Sequence, residues 1–143
     1  MKKKITTHVV YATPDKKKIR DIGKHFDPHG IALSSLRDFV PVDLEIEDCG
    51  EALGEYAILT SFAYARELSE CVKPDLQFIV LSEDSSHVVH KTIIAVIHVA
   101  PDGMISEPHL FEGSLMKKDK KVSPDDHRTL AIKQAVPFIK SYF

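Results

Sequence analysis

Cysteine is scarce in this sequence: Cys49 and Cys71 are all it has. Two thiols make neither a disulfide framework nor a zinc site, so both read as reduced thiols in a reducing compartment. A basic excess is missing too. Nineteen Lys and Arg against twenty-one Asp and Glu leave a formal charge of −2, whereas nucleic acid and membrane surfaces select for net positive charge. Neither partner is expected. No window approaches the roughly 20 apolar residues of a membrane span. The basic start Met1–Lys4 leads into a segment, Ile5–Ala12, broken by Thr6, Thr7 and His8, which is not the apolar run of a signal peptide. A cytoplasmic location is expected. Repeats and low-complexity tracts are absent. The 143 residues fit one domain over 1–143, long enough to bury a core without covalent staples.

What is present is a mixed order of strands and helices. Ile5–Ala12 reads as a strand. Thr13-Pro14-Asp15 supplies a cap, a proline at a first helical position and an acid in a first turn, opening a helix that Pro28-His29-Gly30 closes. Ile31–Leu36 and Asp43–Glu47 read as short extended segments. Glu51–Val72 reads as a long helix with Leu59, Phe62 and Ala63 on its apolar side, continued by Leu68 and Cys71, and Lys73-Pro74-Asp75 ends it. Phe78–Leu81 is wholly apolar, as a buried strand is, and runs through Ser82 into Glu83-Asp84. Thr92–Val99 is a second apolar strand, and the turn Ala100–Gly103 makes Met104–Phe111 its hairpin partner. Ser123-Pro124 opens a last helix, with Asp126 in capping-box position and Pro137 expected to kink or shorten it.

The tips of strands in an α/β sheet face a ligand crevice. Glu83-Asp84 at such a tip could hold a metal, start a helix or merely meet water. His87 and His90 do not make a metal pair, because strand spacing puts residues three apart on opposite faces. The lysine run at 117–121 is most simply a solvated loop.

Four segments, in order, carry a resemblance. "YATPDKKKIRDI" is similar to the strand-to-helix phosphate loop of the inosine triphosphate pyrophosphatase family, Ser/Thr-Gly-Asn-x-x-Lys, with Thr13 and Lys18 matching. "EDCGEALGEYAILTSFAYA" resembles that family's Glu-x-x-Gly segment and following helix, with Glu47, Gly50, Glu55 and Ala57 in place. "LSEDSS" resembles its acidic strand end, and "DDHRTLAI" its late Ser-His-Arg helix start. Any one alone would be weak. There are departures: Pro14 and Asp15 stand for glycine and asparagine, Thr60 for a phosphate-binding lysine, Ser86 for glycine and Asp126 for serine. A long excursion after the acidic motif and a Phe-Gly-Tyr/Trp-Asp motif have no counterpart, so the sequence resembles a pared-down core of the family.

The resemblance implies an α/β domain of the inosine triphosphate pyrophosphatase type, ITPase-like and anticodon-binding-like, a twisted mixed sheet flanked by helices with a reduced second lobe. It implies magnesium-dependent hydrolysis of a nucleoside triphosphate to monophosphate and pyrophosphate by a homodimer. Glu47 and Asp84 would hold Mg2+, Asp84 would orient the attacking water, and Glu83 would steer water or support the ion. Thr13, Lys18 and Ser85 would bind phosphate, and Lys121, His127 and Arg128 would contact the nucleotide. Such roles fit the chemistry, since magnesium takes oxygen ligands and usually only one or two protein carboxylates. The alternative is a nucleotide-binding or interaction protein that keeps the fold without turnover. A doubly wound phosphoacceptor domain ranks last, because its acid pair should follow the first strand, where this chain has Thr13-Pro14.

Overall fold

In the computed structural model, residues 4–46, 52–86, 89–114 and 124–143 are described. Strand β1 (Thr6–Tyr11) leads into helix α1 (Lys16–Phe26) and a 3-10 turn at Asp27–His29, which Gly30 ends in the left-handed conformation. Strand β2 (Leu33–Ser34), a 3-10 turn at Leu36–Asp38 and helix α2 (Glu55–Ser69) follow. Then come β3 (Leu76–Ser86), β4 (Lys91–Val99), β5 (His109–Ser114) and helix α3 (Pro124–Lys140).

The strands form one sheet in the order β2-β1-β3-β4-β5. β1 pairs in parallel with both β2 and β3, while β3–β4 and β4–β5 are antiparallel. Val9, Val10 and Tyr11 in β1, like Phe78–Leu81 in β3, are buried on both sides, and that burial explains why these strands read as continuous apolar runs rather than alternating ones.

The period of two sorts the sheet into two cores. On one face Val9, Tyr11, Ile79, Leu81, Ile94 and Val96 meet Ile22 and Phe26 of α1 and Ala131, Ile132 and Ala135 of α3. On the other, Val10, Ala12, Phe78, Val80, Ile97 and Val99 meet Tyr64, Ala65 and Leu68 of α2. The chain therefore leaves β1 for one face through α1 and leaves β2 for the other through α2. This reversal makes the gap between the β1 and β3 tips a topological switch point, the place where such sheets receive ligands.

Four sequence expectations need correction. β3 does not stop at Leu81 but runs to Ser86, because β4 pairs along its whole outer length, from Phe78 with Val99 to Ser86 with Lys91. The hairpin partner of β4 starts at His109 rather than Met104; only an isolated bridge joins Val99 to Ile105. No strand forms over 43–46, and residue 47 lies outside the described residues. Finally, Leu59 and Phe62 are about half exposed, and α2 instead turns Ala57, Thr60, Ser61, Tyr64, Ala65 and Leu68 inward. Apart from Tyr64 and Leu68 that stripe is small and partly polar, so hydrophobicity pointed to the wrong side at Leu59 and Phe62. Helix α3 continues to Lys140 across Pro137; the expected cap at Ser123 and Asp126 lies outside the described side chains.

Candidate functional site

β3 outruns β1. Pairing between them ends at Tyr11 with Leu81, and among the described residues the backbone of Ser82–Ser86 pairs with β4 alone. The extension forms one wall of the switch-point crevice, and Thr13, just past β1, stands at the other.

Because the acids lie inside a strand, their side chains part. Glu83 belongs to the α1/α3 face and Asp84 to the α2 face. The period of two along the strand divides Glu83 from Asp84; His87 lies outside the described residues, and His90 sits in the turn before β4 rather than in a strand. Asp84 Oδ2 accepts the Gly54 N–H at 2.8 Å, tying the strand tip to the entrance of α2. Gly54 has φ +102, and a Cβ there would also sit 3.2 Å from Ile93, so glycine is required by conformation and space together.

Glu83 is committed elsewhere. Its Oε2 accepts Arg128 Nε at 2.8 Å, with the acid's side chain 6% exposed. Tyr11 lies on the same face; burial first, and then the Glu83 charge, hold its phenol well above the ordinary tyrosine value. Its buried hydroxyl makes no well-formed hydrogen bond among the described residues. Glu83 and Arg128 therefore come together as an ion pair, and in this arrangement Glu83 cannot share an ion with Asp84.

Ser85 shares the Glu83 face. Its Oγ lies 2.8 Å from Thr92 Oγ1, which in turn lies 2.6 Å from His127 Nδ1. His127 and Thr92 are fully buried. The reason α3 sits so low is Gly113, the β5 partner of Thr92: a Cβ there would meet the His127 carbonyl oxygen at 2.2 Å and the Ala131 nitrogen at 2.4 Å. Sequence reading missed Tyr11, Gly54, Thr92 and Gly113. A glycine inside a strand is a recognised sign of close backbone approach, so Gly113 was open to discovery; Thr92 offered no such sign.

At the β1 tip, Thr13 Oγ1 accepts the Asp15 N–H at 3.3 Å, while Asp15 Oδ1 accepts the N–H of Lys17 at 2.9 Å and of Lys18 at 3.3 Å. The first turn of α1 is thus capped by its own carboxylate, and two amides expected to cradle phosphate are engaged. Lys18 is exposed. Beside them, Thr13, Lys16, Arg37, Leu44 and Tyr64 border a cavity of about 130 Å³. Tyr64 donates to the Leu44 carbonyl, and burial foremost pushes its phenol up to about 12. Arg37 is paired with Asp43 at 3.1 Å.

Among the described residues no three His, Cys, Asp or Glu side chains converge as a metal cage. Magnesium does not require one: a hard oxygen donor or two, completed by water and phosphate oxygens, suits it. Asp84 is such a donor. Glu47 and Lys121 lie outside the described residues.

No protein-family model matches the chain. It is 25% identical over 132 residues to a dITP/XTP pyrophosphatase of Bacillus cereus, a match that takes in 92% of this chain and 54% of the relative, so the chain spans about half the relative's length. The Staphylococcus aureus Ham1 protein superposes with a TM-score of 0.56 at 16% identity, over 96% of this chain and 100% of that one. A HAM1 protein from Coxiella burnetii gives 0.56 at 12% identity, over 95% and 100%. At those identities the likeness is one of fold. The α/β architecture shared with the Ham1 structures and the sequence similarity to a nucleotide pyrophosphatase bear out the resemblance read from the four segments: the chain has an ITPase-like α/β fold.

Proposed function

We propose that the chain is a magnesium-dependent nucleoside triphosphate pyrophosphatase. The observation that carries this reading is the position of Asp84 on a strand tip that overhangs the β1/β3 switch point opposite Thr13. A polyanion entering there meets a carboxylate for its counter-ion and, at Ser85 and Lys18, groups able to donate to phosphate. Glu47 and Asp84 would hold Mg2+, which supplies charge neutralisation for the triphosphate. Water attacks the α-phosphorus, the bond from that phosphorus to the bridging oxygen breaks, pyrophosphate leaves, and the water's proton passes to Asp84. Arg128, with Glu83 as its fixed support, would contact the nucleotide from α3, joined by Lys121; the nucleotide contact expected of His127 is not available to it, because its ring is buried against Thr92.

The second reading, nucleotide binding without turnover, is favoured by two observations. Asp15 occupies amides of the α1 first turn, and Glu83 is neutralised by Arg128. A homodimer in the cytoplasm completes the proposal: β5 leaves a six-residue strand at the sheet edge with Leu110 half exposed, an edge that a second copy can cover.

Pyrophosphate release over a panel of nucleoside triphosphates, with and without magnesium, tests the choice. Release that Asp84→Asn abolishes supports the enzyme. Saturable binding in calorimetry with no release supports the second reading, and neither binding nor release rejects both.

A further inference from the structure

Thr92 has no part in the hydrolytic steps above, yet the geometry of the Ser85–Thr92–His127 chain constrains what Ser85 can do. Ser85 and Thr92 are directly opposite on β3 and β4. Their hydroxyls are 2.8 Å apart, and Thr92 Oγ1 is 2.6 Å from His127 Nδ1. These are the side-chain hydrogen bonds of Thr92 among the described residues, and that side chain has no access to water.

Each hydroxyl has a single proton, and each ring nitrogen either carries one or accepts one. Two self-consistent arrangements follow. If Nδ1 is bare, Thr92 donates to it and Ser85 donates to Thr92, so the outer side of Ser85 presents only lone pairs. If Nδ1 carries a proton, it donates to Thr92, Thr92 donates to Ser85, and the Ser85 proton is released toward the crevice. A phosphate oxygen only accepts. It is repelled by the first arrangement and bonded by the second.

We infer that Thr92 is a positioning residue that couples the two ends: a phosphate group held by Ser85 selects the form of His127 that carries its proton on Nδ1. The inference rests on the proposed phosphate role of Ser85. Gly113 is what makes the relay physical, because the missing side chain lets the first turn of α3 press His127 onto Thr92. The readable consequence is that the His127 ring reports phosphate occupancy through Thr92, without requiring contact with the phosphate.

The test is nitrogen NMR of the histidine rings in the full chain, titrated with inorganic triphosphate and magnesium, with binding followed in parallel by calorimetry. Saturation should move the His127 Nδ1 resonance from the bare to the protonated position. Thr92→Val, which keeps the shape and removes the hydroxyl, should abolish that movement and weaken triphosphate binding roughly tenfold, about 1.4 kcal/mol; Thr92→Ser should restore both. Should Thr92→Val not fold, Ser85→Ala serves instead and should leave His127 unresponsive. Binding with an unchanged His127, or a wild-type response in these variants, overturns the relay alone. No binding of triphosphate at all overturns the functional reading first, and the relay with it.

Discussion

Asp15 shows how one side chain can serve a helix and oppose a ligand. As the cap of α1 it satisfies the Lys17 and Lys18 amides, and asparagine can accept the same bonds. A triphosphate at this turn meets the carboxylate as a like charge, worth about 1 kcal/mol of repulsion at ~4 Å in water. Asp15→Asn should therefore leave the melting temperature nearly unchanged and tighten triphosphate binding several-fold at fixed magnesium and salt; unchanged or weaker binding in calorimetry would place the phosphates elsewhere. Arg128 presents the opposite case. Its removal strands the buried Glu83 charge, and Arg128→Ala should cost roughly 2–3 kcal/mol, less than a fully enclosed pair because the Arg128 side chain remains one-fifth exposed. Denaturant unfolding reads this, and a Glu83→Gln, Arg128→Met double variant should recover most of the loss. The identity of these residues was legible in the sequence, but their partners were not, since Glu83 and Arg128 lie 45 positions apart.

Among elements, β1 and the place of α1 were easiest to read, because a buried apolar run and a cap are local statements, although the cap is Asp15 rather than Thr13 and Pro14 stands before the helix instead of opening it. α2 was misread on its orientation: its inward stripe of Ala, Ser and Thr yields to Leu59 and Phe62 on any hydrophobicity argument, and only the sheet beneath decides. β3 was misread on its length, since nothing in Ser82–Ser86 marks a strand until β4 is seen beside it. The β5–α3 contact turns on Gly113. Gly113→Ala would drive a methyl into the backbone of His127 and Ala131, and backbone has no rotamer to yield. A loss of about 3 kcal/mol is expected in denaturant unfolding, together with displacement of His127 visible in its ring resonances.

For the whole molecule, the end of the sheet away from the crevice carries its own pH dependence. His98 Nε2 lies 2.8 Å from Gln77 Oε1, and Gln77 Nε2 donates to Thr7 and to the Tyr142 carbonyl, which fixes His98 as the donor. Its ring stacks on Tyr142 at 4.3 Å. Burial lowers the His98 pKa, with Asp102 opposing. A lowered folded value means the unfolded chain binds more protons between the two pKa values. The resulting stability is complete above the unfolded value near ~6.5 and is lost as pH falls through the folded one. Melting temperatures followed from about pH 7 to about pH 5 should fall more steeply in the wild type than in His98→Gln; parallel curves would assign the slope to the other histidines.

Among the described residues, the overhang of β3 beyond β1 leaves an unpaired border inside the fold. Leu81 turns its carbonyl toward β1, where the Ala12 N–H meets it at 2.8 Å. By the alternation of backbone groups along a strand, Glu83 and Ser85 turn theirs the same way, past the point where β1 has ended, while Ser82 and Asp84 turn toward β4. The protein thus carries a short ruler of main-chain donors and acceptors at its crevice, readable residue by residue in deuterium. The Glu83 and Ser85 amides should exchange quickly and those of Ser82 and Asp84 slowly, a sawtooth that flattens when an occupant lies along the border and protects the fast pair. Uniform protection across the four amides without any occupant would mean that another segment of the chain already fills the place of the missing strand.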